Sequence, residues 1–151
     1  MEFLKQKSNV VLLGNVGLGK THLATALGYA ACQQGASVLF ANAISVINNL
    51  STAQKRGLLK RQPKSYLRPE LLALDEIGYL PSDQHGADLL FQVISRRCDQ
   101  GSIVLTTNKP FQQKPSIFNN DSTIASAVLD RFLHHAQTIV IARHSNRSCS
   151  T

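Results

Sequence analysis

At 151 residues and 43% hydrophobic content the chain has the makeup of one globular α/β domain with a proper core, and with no apolar run near the ~20 residues of a bilayer span, and residues 1–9 too polar and short for a secretory signal, a cytoplasmic protein with no membrane partner is expected. Its three cysteines, Cys32, Cys98 and Cys149, are odd in number and lack any C-x-x-C pattern, which excludes a disulfide framework and a zinc site and reads as reduced thiols. A net charge of +7 favours nucleic acid or another polyanion as partner, and it would attract ATP as well.

Residues 1–8 carry no periodic pattern and start abruptly, as the stub of an upstream region would. Residues 9–13 form a short continuous apolar run of the kind buried on both faces of a parallel sheet. It leads into Gly14-Asn15-Val16-Gly17-Leu18-Gly19-Lys20-Thr21, which fits the phosphate-binding pattern G-x-x-x-x-G-K-[ST]. Gly14 and Gly19 let the backbone curl around an anion with its N–H groups inward, and the helix that follows aims its positive end at the same point. Lys20 is then expected to reach the β- and γ-phosphates of ATP, and Thr21 to ligate Mg²⁺. Leu23, Leu27, Ala30 and Ala31 repeat at helical spacing until Gly35 stops the helix. Val38-Leu39-Phe40 reads as a second strand. A helix follows over residues 43–50, with Ile44, Ile47 and Leu50 on one face.

The composition then changes. Lys55, Arg56, Lys60, Arg61, Lys64 and Arg68 occur with no acidic residue among them, and Pro63 and Pro69 prevent one continuous helix, so a frayed helix end plus a basic loop is expected. Such a concentrated run is either a solvated face or a segment that tracks nucleic-acid phosphates, and its lack of acids favours the second. Leu71-Leu72-Ala73-Leu74 is another buried strand. It ends on Asp75-Glu76, a Walker B pattern at the strand end where open α/β sheets place ligands. Asp75 is expected to hold the Mg²⁺, and Glu76 to polarise the attacking water.

Ala87, Leu90, Phe91 and Ile94 give the spacing of a helix that ends before Gly101, with Arg96 and Arg97 expected as solvated or helix-end charges. Residues 103–107 form a strand, and Asn108 stands just past it, where an amide can orient water or touch the γ-phosphate. Residues 109–121 read as a loop. A helix with Ala125, Val128, Leu129 and Phe132 on its buried face follows, leaving Arg131 off that face. The adjacent His134 and His135 point in different directions and read as a structural or surface pair. Residues 138–142 close the domain as a last strand, so that 9–142 form one ATPase domain and 143–151 a frayed tail.

Five segments narrow the reading further: Gly17-Leu18-Gly19-Lys20-Thr21-His22-Leu23-Ala24, Asp75-Glu76-Ile77-Gly78-Tyr79-Leu80-Pro81, the stretch from Gly86 to Arg97, Thr106-Thr107-Asn108-Lys109-Pro110-Phe111, and Leu129-Asp130-Arg131-Phe132-Leu133-His134-His135-Ala136. Together they closely resemble the AAA+ ATPases of the IstB group, helpers of insertion-sequence transposases and relatives of the DnaC helicase loaders. The resemblance implies an AAA+ core, a P-loop NTPase with a five-stranded parallel sheet sandwiched between helices and no separate lid domain. It also implies an ATPase that assembles on DNA as an ATP-bound homo-oligomer and hands that DNA to a transposase. By position, Lys20 and Thr21 match Walker A, Asp75 and Glu76 Walker B, Asn108 sensor 1, and Arg131 an arginine finger; Arg147 sits where a further arginine often follows the last strand. Asn15-Val16 replace the paired prolines usual in the group, at positions where backbone matters more than side chain, so ATP binding should survive. The N-terminal region usual in such helpers is not in the sequence, as in a fragment or a truncated copy. A DnaC-like helicase loader and a non-catalytic ATP- or DNA-binding remnant are the alternatives.

Overall fold

The parallel sheet grows from five apolar runs too short to be stable helices, each rich in the β-branched and aliphatic residues that fill a doubly covered sheet. The computed structural model describes residues 2–14, 19–57, 62–75, 84–97, 100–107 and 130–141. In chain order the elements are α1 (Glu2–Lys5), β1 (Asn9–Gly14), α2 (Lys20–Gln33), β2 (Val38–Asn42), α3 (Ala43–Lys55), α4 (Gln62–Leu67), β3 (Leu71–Asp75), α5 (Gln84–Arg97), β4 (Ser102–Thr107) and β5 (Ala136–Ile141). A helical segment at 130–134 leads into β5. All strand pairs are parallel, in the order β2-β3-β4-β1-β5. β4 therefore lies between β1, which carries the glycine loop, and β3, which carries Asp75.

Alternation along the strands divides the core into two layers. Val10 and Leu12 of β1, Leu71 and Ala73 of β3 and Val104 of β4 face one side, where they meet Ala24 and Ala31 of α2 and the partly buried Phe3 and Leu4 of α1. Val11, Leu72, Leu74, Ile103 and Leu105 face the other side, against α3, α4 and α5. This is the sandwich expected from the sequence. Residues 2–5, where no periodicity was legible, form a short helix that covers part of the first layer.

Two expectations about faces change, and one about a loop. The inward face of α2 is Ala24, Gly28 and Ala31, while Leu23 is 37% exposed; small residues let the helix lie close to the sheet, and this tilts the larger Leu23 outward. α3 runs on to Lys55, and its buried face is Ala43, Val46, Ile47, Leu50 and Ala53, which leaves Ile44 at the flank. Pro63 lies in the first turn of α4 rather than in a loop, a position where its missing N–H costs nothing. α4 is fastened to α3 by Asn49 Nδ2, which donates to the hydroxyl of the buried Tyr66 at 3.2 Å. Among the described residues no helix is long and apolar enough to cross a membrane.

Candidate functional site

The carboxyl ends of β1 and β3 and the start of α2 converge on one point. Gly19 takes φ +83°, the left-handed conformation that glycine alone adopts without strain, and it turns the chain from the loop into α2. No side chain caps the start of that 14-residue helix. Its first N–H groups and the positive end of its dipole are therefore directed at the loop. The Lys20 ammonium reaches back and donates to the Gly14 carbonyl at the end of β1, which holds a positive charge at the mouth of the loop.

On the β3 side, Thr21 Oγ1 lies 3.0 Å from Asp75 Oδ1 and 2.9 Å from Oδ2, and the hydroxyl donates to the carboxylate. Thr106 Oγ1 of β4 donates to Asp75 Oδ1 from the other side. A hydroxyl and a carboxylate form an all-oxygen donor pair of the kind a hard divalent cation takes, with room left for water and phosphate oxygens. Together with an uncapped helix start and a lysine, the residues fit a magnesium-bound nucleoside triphosphate. Beside this cluster, a cleft of about 250 Å³ is lined by Thr21, Thr25, Phe40, Asn42 and Asp75 among others.

Of the residues that the motifs nominate, Gly14, Gly19, Lys20, Thr21 and Asp75 are thus brought together, whereas Asn15, Val16, Gly17, Leu18, Glu76 and Asn108 lie outside the described residues. Arg131 is exposed in the helical segment that leads into β5. The β5 start pairs with Asn9, and His135 O accepts from Asn9 N at 2.8 Å. Because the strands are parallel, this puts Arg131 toward the end of the sheet opposite Gly14 and Asp75. The described ends of the basic run lie at that same end, since α3 runs back along the sheet and α4 precedes β3. Lys55, Arg56 and Arg68 are exposed there; Lys60, Arg61 and the side chain of Lys64 lie outside the described residues. His134 and His135 are exposed and meet edge to face, with ring centroids 5.1 Å apart. No group of three or more His, Cys, Asp or Glu that could hold a metal stands among the described residues, so a cation at Thr21 and Asp75 would need water or phosphate oxygens for its remaining ligands.

Two residues escape the motif reading. Thr106 faces Asp75 because it is one register step past the pair Leu74↔Leu105 and two residues on from Val104, so strand alternation alone could have found it. Arg97, expected as a solvated or helix-end charge, does end α5 but is only 1% exposed. It continues the stripe Leu90, Ile94, Arg97 on the buried face of α5, a spacing legible in the sequence but masked by its charge. Its guanidinium donates to the carbonyls of Tyr66 at 2.9 Å, Leu67 at 3.3 Å, Glu70 at 3.3 Å and Ser102 at 2.9 Å. Burial pushes its pKa down to about 10, which leaves it charged at neutral pH.

A family model described as "IstB-like ATP binding protein" matches residues 1–150. The relative from insertion sequence IS232 of Bacillus thuringiensis subsp. berliner, called an ATP-binding protein in its name, is 42% identical over 147 residues, covering 97% of this chain and 58% of its own length. The similarly named relative from insertion sequence IS21 of Pseudomonas aeruginosa is also 42% identical over 147 residues, covering 97% of this chain and 55% of its own length. This chain thus spans a little over half the length of these relatives. Domain III of the replication initiation protein DnaA from Thermotoga maritima superposes with a TM-score of 0.80 at 21% identity, over 97% of this chain and 61% of that one. The fold is that of an AAA+ P-loop domain.

Proposed function

Because the chain belongs to the IstB-like ATP-binding protein family, we propose that it is an ATPase that binds Mg·ATP at the Gly14–Thr21 loop and serves an insertion-sequence transposase by assembling on DNA. The observation that carries this reading is the convergence of Lys20 and Thr21 of α2, Asp75 of β3 and the Gly14 carbonyl of β1 at the uncapped start of α2. Lys20 neutralises the β- and γ-phosphates, and the loop N–H groups hold their oxygens. Thr21 and Asp75 hold Mg²⁺, which when bound draws charge from the phosphate oxygens. Glu76, next in sequence to Asp75, takes a proton from the attacking water, and Asn108, next after β4, orients that water. Arg131 sits toward the end of the sheet away from its own loop, as suits a residue that acts on the nucleotide of a neighbouring copy. Lys55, Arg56, Lys60, Arg61, Lys64 and Arg68 track DNA phosphates without reading sequence.

Nucleotide binding and turnover test the core of the proposal. Lys20→Ala should abolish Mg·ATP binding while the fold persists, since its side chain is only partly buried; retained affinity overturns the site. Glu76→Gln should bind ATP and fail to hydrolyse it, because an amide is no base, and normal turnover in that variant places the base elsewhere. Wild-type chain that binds ATP but never turns it over, with or without DNA, would be a binding remnant instead.

A further inference from the structure

Asp75 is gripped from two sides, and only one of the two hydroxyls belongs to the phosphate-binding motif. Thr21 Oγ1 is shared between the two carboxylate oxygens, at 3.0 and 2.9 Å. One hydroxyl proton cannot satisfy both, so this contact alone leaves the carboxylate free to swing. Thr106 donates to Oδ1 from a fixed base. It is 1% exposed, and it sits on the central strand β4, paired on one side with Leu12 of β1 and standing on the other side one step past Leu74↔Leu105 of β3. β-Branching stiffens its χ1 as well. The Oδ1 oxygen is therefore pinned by a buried, strand-borne donor, and Oδ2 is left to the exposed Thr21 and the space beside it.

We propose that Thr106 is a positioning residue for the magnesium site: it sets the orientation of the Asp75 carboxylate so that the cation finds it preorganised. This rests on the reading of Thr21 and Asp75 as the magnesium-holding pair. Hydrogen-bond partners of metal-ligating carboxylates commonly govern metal affinity about 10- to 100-fold, without touching the metal. Thr106 touches neither nucleotide nor water under this proposal and acts only through Asp75.

The test is the Mg²⁺ dependence of nucleotide binding, with a fluorescent ATP analogue titrated in EDTA and then at rising Mg²⁺. Thr106→Val keeps the shape and the strand preference and removes only the hydroxyl; it should raise the half-saturating Mg²⁺ concentration roughly tenfold, while affinity in EDTA and melting temperature stay near wild type. Thr106→Ser, which keeps the hydroxyl, should restore the wild-type curve. A Thr106→Val curve that overlays wild type overturns the inference, as does an equal loss of affinity in EDTA and in Mg²⁺, which would mark a packing role. If the wild type itself shows no Mg²⁺ dependence, the magnesium reading of Thr21 and Asp75 falls, and this inference falls with it.

Discussion

At Arg97 a full positive charge is kept out of water with no carboxylate beside it among the described residues, and four carbonyl groups do the work of a counter-ion. Two of those carbonyls end α4, the third belongs to the turn before β3 and the fourth to the start of β4, so one side chain ties together the floor of the sheet. Gly101 is the necessary neighbour: a Cβ there would lie 2.7 Å from the Arg97 Nη2 atom. Arg97→Met, similar in length but unable to donate, should cost on the order of 3 kcal/mol in thermal or urea unfolding, because it strands buried carbonyls. The pH dependence has a definite sign. Both folded and unfolded states hold the guanidinium proton below pH 10, so the stability gap between wild type and Arg97→Met should be flat from pH 7 to 9. Above about 10 the unfolded chain binds the proton more tightly than the folded one, and stability attributable to Arg97 should rise with pH. A gap that narrows there would contradict the assignment of burial as the cause. Residues of this type are hard to find in a sequence, since charge ordinarily means surface. Lys20, Thr21 and Asp75 were legible because phosphate chemistry leaves few alternatives at each of their positions.

Elements were predicted best where both faces are buried. β1, β3 and β4 came out within a residue of their expected bounds, because continuous apolar runs have nowhere to go but the middle of a covered sheet. α2 was located correctly but turned, since its burial is governed by how closely small residues let it approach rather than by hydrophobicity alone. The basic run was seen as a unit from its charge, yet charge says nothing of backbone, and α4 with its first-turn proline was missed. Under the proposed function this run contacts DNA. Neutralising Lys60, Arg61 and Lys64 together should weaken DNA binding alike across sequences and flatten the slope of log K against log salt by up to ~0.9 per lost contact. ATP binding should stay unchanged, because none of the three belongs to the phosphate-binding motif. An unaltered salt slope would return the segment to a solvated face.

For the molecule as a whole, the two ends of the sheet carry different chemistry among the described residues: Gly14, Lys20, Thr21 and Asp75 at one, Lys55, Arg56, Arg68 and Arg131 toward the other. Under the proposed function a copy acting alone holds ATP with its own Arg131 remote from the γ-phosphate, and turnover per subunit should climb with protein concentration. Arg131→Ala should bind ATP and lose the stimulated rate, and mixing it with Glu76→Gln should recover part of that rate, because some interfaces then pair an intact Glu76 with an intact Arg131. A co-assembled mixture that stays inactive, or a wild-type rate per subunit that ignores concentration, would exclude action between copies. The strand order bears on tolerance to change. With β4 interposed, the Gly14 carbonyl that takes Lys20 and the Asp75 carboxylate hang from strands two spacings apart, about 9.5 Å, and β4 serves as the gauge block that sets the width of the jaws. A register slip of one residue in β4 would swing Thr106 to the opposite face and bring Thr107 round in its place, so the calibration of the site resides in a strand whose own side chains need never meet the nucleotide.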